Sequence, residues 1–135
     1  MPRLSVWMIR SALLQLGIGI TLGALMLWNK GSLIDLRIWL LVSTHLELLI
    51  VGWLMQLALG VAFWILPRFT HEPRYGDVRR AWVGFALLNS GILLVILGIC
   101  TAGLADLQPI GRLVELIAVV ILISVLWPRV KTFGV

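Results

Sequence analysis

The chain has 135 residues, of which 61% are hydrophobic and 13% are charged, and its mean hydropathy is +1.06. A water-soluble domain of this length does not carry so much apolar surface, so the composition predicts an integral membrane protein. The net charge of +5 does not indicate nucleic-acid binding, because the basic residues lie between apolar segments and form no block. With a single cysteine, Cys100, an internal disulfide is excluded.

The apolar segments predict an all-α fold, a bundle of four membrane-spanning helices within one domain that covers residues 1–135. The predicted spans are about residues 11–28, 37–66, 81–104 and 110–127. The first span runs from Ser11 to Trp28. Its Gly19 and Gly23 stand four residues apart, with Gly17 nearby, which predicts a flat side for a neighbouring helix.

The second span, between Arg37 and Arg68, is the most informative stretch of the sequence. Its apolar run includes His45, Glu47 and Gln56, and it ends before Pro67. A polar group at this depth in a membrane is costly unless it has a partner. These side chains therefore indicate either hydrogen bonds between packed helices or a functional site.

A polar loop, Arg68–Arg80, leads to the third span and includes His71. In the third span Gly84, Gly91 and Gly98 recur every seven residues, which predicts a helix-packing face. Asn89 lies near the middle of this span. The fourth span has Arg112 and Glu115 in its first turns and ends at Pro128.

The distribution of Lys and Arg predicts that both termini are cytoplasmic, because cytoplasmic ends retain basic residues during insertion. Eight basic residues fall at the N-terminus, in the second loop and at the C-terminus, namely Arg3, Arg10, Arg68, Arg74, Arg79, Arg80, Arg129 and Lys131. The other side, here named the predicted outer end, holds Lys30, Arg37 and Arg112. We expect a multi-pass protein of the inner (cytoplasmic) membrane of a prokaryote.

In this topology His45, Glu47 and Glu115 share the outer half of the membrane, with His45 about 12 Å along the helix from Arg37. Helical spacing places Leu49, Gly52, Gln56 and Gly60 on one stripe with His45. Such a stripe can receive either a flat ring or a close neighbouring helix. Glu47 points about 200° away from His45, so its expected partner is Arg112 or a group on another subunit.

The second and third spans, about half of the chain, share a set of residues with a known family. The set is His45, Leu46, Leu48, Leu49, Gly52, Gly60, Pro67 and Arg68, then Leu87, Leu88, Asn89, Ser90 and Gly91. It resembles the large subunits of heme-copper oxidases, in particular the nitric oxide reductase and cbb-type branches. The likeness is greater still to small four-helix membrane proteins related to those subunits.

The resemblance implies that His45 is an axial ligand of a low-spin heme b, on a face shared with Gly52, Gln56 and Gly60. The three histidines of the copper site are absent, so reduction of oxygen or nitric oxide by this chain alone is excluded. We do not expect an enzyme in isolation. The second iron ligand would come from His45 of another copy in a two-fold dimer, from a different protein, or from Met26, Met55 or Cys100.

Each candidate residue also has a structural interpretation. His45 would form a hydrogen bond with a neighbouring helix. Glu47 and Glu115 would form a salt bridge with Arg112 or stay protonated. Gln56 and Asn89 would form interhelical hydrogen bonds, and Cys100 would be a small buried group.

Three functions remain open. The first is a heme-carrying electron-transfer protein or subunit, and the second is a cofactor-free accessory subunit of a larger respiratory membrane complex. The third is a small transporter that uses Glu47 or Glu115. The expected partners are the lipid bilayer and either further copies of the chain or a larger membrane complex.

Overall fold

The computed structural model describes residues 1–70 and 72–130, without the side chain of Ala102. His71 and Lys131 lie outside the described residues, so the expectations attached to them are not addressed. Across the described part of the chain all regular structure is helical, and four helices are long and apolar enough to cross a membrane. These are α1 (Arg3–Ser32), α2 (Leu36–Ile65), α3 (Val78–Cys100) and α4 (Leu107–Leu126). The prediction of four such helices is confirmed.

The helix ends differ from the predicted spans for local reasons. Helix α1 begins at Arg3, well before Ser11, because an extended Pro2 precedes it and no helix breaker follows. Helix α3 begins at Val78, because the Asp77 carboxylate accepts a hydrogen bond from the Arg80 backbone N–H at 3.1 Å. Helix α4 contains Pro109 in its first turn, where a backbone N–H would have no helical acceptor.

Helix α2 is continuous but not uniform. It opens with a 3₁₀ turn, Leu36–Leu40, and an α-helical part, Leu41–Glu47. The middle, Leu48–Met55, is π-helical, and α-helix resumes over Gln56–Ile65. Neither hydropathy nor a spacing of 3.6 residues predicts wide π turns. Such turns are rare and concentrate at functional sites, and here they begin directly after Glu47.

The four helices form two antiparallel pairs, α1 with α2 and α3 with α4, that share one core. Met8 and Phe63 come from the first pair, and Leu88 and Leu122 from the second; all four side chains are buried. Most large apolar side chains on the outer surfaces of the helices are exposed. This distribution suits a bundle surrounded by lipid.

The predicted glycine face of α3 lies against α4. A methyl group at Gly84 would come within 2.7 Å of Leu122, and one at Gly91 would come within 2.7 Å of Glu115. At Gly98 it would come within 2.6 Å of the Gln108 backbone nitrogen. The glycines therefore let the two helices approach almost backbone to backbone.

Arg129 is the main feature of the fold that the sequence does not predict, since the charge distribution indicates only a residue that sets topology. It is fully buried and donates hydrogen bonds to the carbonyl oxygens of Leu66 at 2.7 Å and Pro67 at 3.1 Å. Its guanidinium also lies 5.1 Å from the ring centre of Phe63 and 5.5 Å from that of Tyr75. Arg129 thus joins the end of α4 to the end of α2.

Candidate functional site

His45 lies in the α-helical part of α2 and contacts α1. Its Nδ1 atom is 2.7 Å from the carbonyl oxygen of Gly19. A carbonyl can only accept a hydrogen bond, so Nδ1 carries the proton and the neutral ring has an unprotonated Nε2. A methyl group at Gly23 would stand 2.8 Å from Cε1 of the ring. The imidazole therefore occupies a slot on α1 that only glycine leaves open.

The second nitrogen of His45 is available to a ligand. Nε2 has no hydrogen-bond partner among the described residues, and it is not among the fully buried polar atoms that lack one. The side chain as a whole is partly exposed. A histidine that binds a metal typically donates its other N–H to a carbonyl or carboxylate, which fixes the ring and its tautomer. His45 has that arrangement.

The rest of the His45 stripe packs against α1. Gln56 donates a hydrogen bond to the Met8 carbonyl oxygen at 3.2 Å, and a methyl group at Gly60 would stand 2.8 Å from Cβ of Met8. Gly52 lies directly under the side-chain amide of Gln15. The predicted stripe is therefore one face, and α1 covers Gly52, Gln56 and Gly60. A heme held by His45 would therefore not contact the part of the stripe that α1 covers.

The three candidates for a second iron ligand lie in different places. Met26 is buried on α1, one turn after Gly23. Met55 lines a groove with Arg112 and Glu115, on the α4 side of α2. Cys100 is exposed at the end of α3, where its Sγ atom is 3.6 Å from the Thr44 hydroxyl.

The prediction that Cys100 is buried is wrong. The buried face of α3 runs through Val95 and Gly98. Cys100 follows Gly98 by two residues and therefore points about 200° away from that face.

An ionic cluster lies on the opposite side of α2 from His45. Arg112 Nη1 is 2.5 Å from Oε2 of Glu47 and 3.1 Å from Oε2 of Glu115. Only 1% of the Glu47 side chain and 8% of the Glu115 side chain are exposed, against 48% for Arg112. The predicted ion pairs with Arg112 are present, and the partner of Glu47 belongs to the same chain.

A second polar cluster joins α1 to α3. Ser11 and Gln15 both donate hydrogen bonds to Oδ1 of Asn89, at 2.9 Å and 3.0 Å. The predicted interhelical hydrogen bond of Asn89 is therefore present. Sequence reasoning missed its partners, although Ser11 and Gln15 stand four residues apart on one side of α1.

Comparisons of the chain with protein-family models, with curated proteins and with solved structures found no match. The functional interpretation therefore rests on the geometry around His45. Of the residues proposed for heme binding, His45 fits the role of an axial ligand, because one ring nitrogen is anchored and the other is free.

Proposed function

We propose that this chain is a heme b-binding membrane protein or subunit with an electron-transfer role, and that His45 supplies one axial ligand through Nε2. The observation that carries the proposal is the hydrogen bond from His45 Nδ1 to the Gly19 carbonyl oxygen. A bound heme would supply a one-electron carrier. The resemblance of α2 and α3 to heme-copper oxidase subunits supports the same role for His45.

The residues of α1 prepare His45 for this role. The Gly19 carbonyl fixes the tautomer and leaves the Nε2 lone pair free to bind iron. Gly23 leaves the space that the ring occupies against the helix. Because α1 holds the ring in place, little rotational freedom remains to be lost when a ligand binds.

One chain supplies one well-placed ligand, so a six-coordinate heme needs a second ligand from elsewhere. Partial exposure of His45 at the bundle surface suits a heme shared between two copies of the chain, each contributing His45. A histidine from a larger membrane complex would serve equally. In both cases the heme belongs to an assembly, and the expected location is the inner membrane of a prokaryote.

The test is a pyridine hemochrome assay on the detergent-extracted protein after expression with ample heme, together with its subunit composition. We expect heme b in the wild type and its loss in His45→Ala. His71→Ala is a matched control, since His71 is the only other histidine of the chain, and it should keep the heme. A wild-type protein without a Soret band would refute the proposal.

The second candidate is a cofactor-free accessory subunit of a larger respiratory membrane complex. It is favoured by the packing of Gly52, Gln56 and Gly60 against α1, because these residues then serve the bundle itself. The two candidates give different results for one variant. A colourless protein whose association with its complex survives His45→Ala would support the accessory subunit.

A further inference from the structure

The ionic cluster of Glu47, Arg112 and Glu115 is not used by the heme proposal. Glu47 and Arg112 form the closer pair, at 2.5 Å, and their opposite charges cancel. Glu115 then brings a second carboxyl group to the same guanidinium nitrogen, at 3.1 Å. With both carboxyl groups ionised, the cluster would carry one uncompensated negative charge inside the bundle, where such a charge is costly.

Among the residues that the structure describes, the surroundings of Glu115 offer no cation other than Arg112. Helix α2 contributes Glu47, and α4 contributes Arg112. Helix α3 contributes Gly91, whose added methyl group would touch Cγ of Glu115 at 2.7 Å. Among the described residues, no charged side chain of α1 or α3 pairs with Glu115. A proton is therefore the simplest way to neutralise the cluster.

Unpartnered oxygen atoms point to the same conclusion. Oε1 of Glu47 and Oε1 of Glu115 are both buried, and neither has a hydrogen-bond partner among the described residues. The two carboxyl groups are nevertheless neighbours, because Oε2 of each contacts the same Arg112 nitrogen. Two neighbouring carboxylates cannot hydrogen-bond each other, because both only accept, whereas a protonated carboxyl has an O–H to donate. One added proton would satisfy both the charge and the hydrogen bond.

We propose that Glu115 is a proton-binding site that holds one proton at neutral pH, while Glu47 forms the closer ion pair with Arg112. The proton reaches the site from water at the predicted outer end. A cleft of about 240 Å³ between α2 and α4 contains Ser43, Glu47, Gln108 and Arg112 among its lining residues. Half-exposed Arg112 lies in this cleft and contacts both carboxyl groups. Glu115 lines the neighbouring groove, which shares Arg112 with this cleft. A proton that binds Glu115 converts its carboxylate to the acid, with no other bond broken.

The test is infrared spectroscopy of the full chain in detergent near neutral pH, recorded in H₂O and in D₂O. A protonated carboxylic acid has a carbonyl stretch well separated from that of a carboxylate, and the stretch shifts on deuteration. The chain has six acidic residues, and Asp35, Glu72, Asp77 and Asp106 are all exposed. We expect one acid band, which is lost when the pH is raised far enough to ionise Glu115.

Three variants assign the band. Glu115→Gln should remove it, and Asp106→Asn, the matched control at an exposed acidic residue, should leave it unchanged. Glu47→Gln should also remove it, because Glu115 then becomes the only counter-charge for Arg112 and ionises. Absence of the band in the wild type, or its persistence in Glu115→Gln, would overturn the proposal. If a variant fails to fold, absence of the band in the wild type still overturns the proposal.

Discussion

The Nδ1 atom of His45 lies 2.7 Å from the carbonyl oxygen of Gly19, so the backbone of α1 holds the imidazole ring of α2. This carbonyl is already the acceptor for a helical N–H, and it uses its second lone pair for the imidazole. The contact fixes which nitrogen of His45 is free. It therefore determines what the histidine can bind.

The slot at Gly23 gives the first prediction. In Gly23→Ala the new methyl group would stand 2.8 Å from Cε1 of His45 and displace the ring. We expect bound heme to fall severalfold although His45 is intact, as measured by the hemochrome assay per mole of protein. Gly17→Ala is the control on the same helix, since nothing lies within 4 Å of an added methyl group there. Equal heme content in both variants would contradict the role of the slot.

The contact between α3 and α4 gives the second prediction. A methyl group at Gly111 would stand 2.8 Å from the carbonyl oxygen of Gly91 and from the backbone nitrogen of Val95. Backbone atoms cannot move aside as a flexible side chain can. Gly111→Ala should therefore lower the free energy of unfolding by about 1–3 kcal/mol. Gly31→Ala, with nothing within 4 Å, should change it little; denaturant titration in mixed micelles measures both.

The polar cluster between α1 and α3 gives the third prediction. Asn89→Leu removes the acceptor of Ser11 and Gln15, and the loss should cost about 1–2 kcal/mol of unfolding free energy. Within the described part of the chain, the hydroxyl of Ser124 bonds only its own helix, by donating to the Ile121 carbonyl oxygen. Ser124→Ala should therefore be close to neutral. If the two variants are equally stable, the cluster does not hold α1 to α3.

The buried arginine gives the fourth prediction. Arg129→Met keeps much of the volume but removes both hydrogen bonds to the end of α2. We expect a loss of about 1.5–3 kcal/mol of unfolding free energy, because the bonds involve a charged donor. Arg79→Met, at an exposed position in the first turn of α3, is the control and should have little effect. The thermal unfolding of the two variants in detergent provides the comparison.

Much of the fold could be predicted, because the features concerned depend on the local sequence. The bounds of α2 agree with prediction to within a residue at each end, since Pro67 stops the helix and no other proline interrupts it. The face of α2 that includes His45, Gly52 and Gln56 could also be predicted, because helical spacing alone determines it. Helical spacing cannot tell whether a flat ring or a neighbouring helix lies on that face, because the answer depends on the position of α1.

The remaining features depend on contacts that no single segment encodes. The π turns of Leu48–Met55 have no hydropathy signal, because every residue of the segment is apolar or glycine. The position of Arg129 depends on carbonyl groups more than sixty residues away in the chain. The pairing of Glu47 with Arg112 was predicted. The contact of both carboxyl groups with one nitrogen atom could not be predicted, because it depends on how α2 and α4 are placed along their axes relative to each other.

The way in which Arg129 is held bears on the orientation of the chain. Its described partners are two carbonyl oxygens and two aromatic rings, which are all neutral, so its charge is shielded but not cancelled. Reversing the bundle in the bilayer would require this charge to pass through the hydrocarbon core. If the bundle spans a membrane, the buried Arg129 would therefore oppose its inversion once the helices have packed around it.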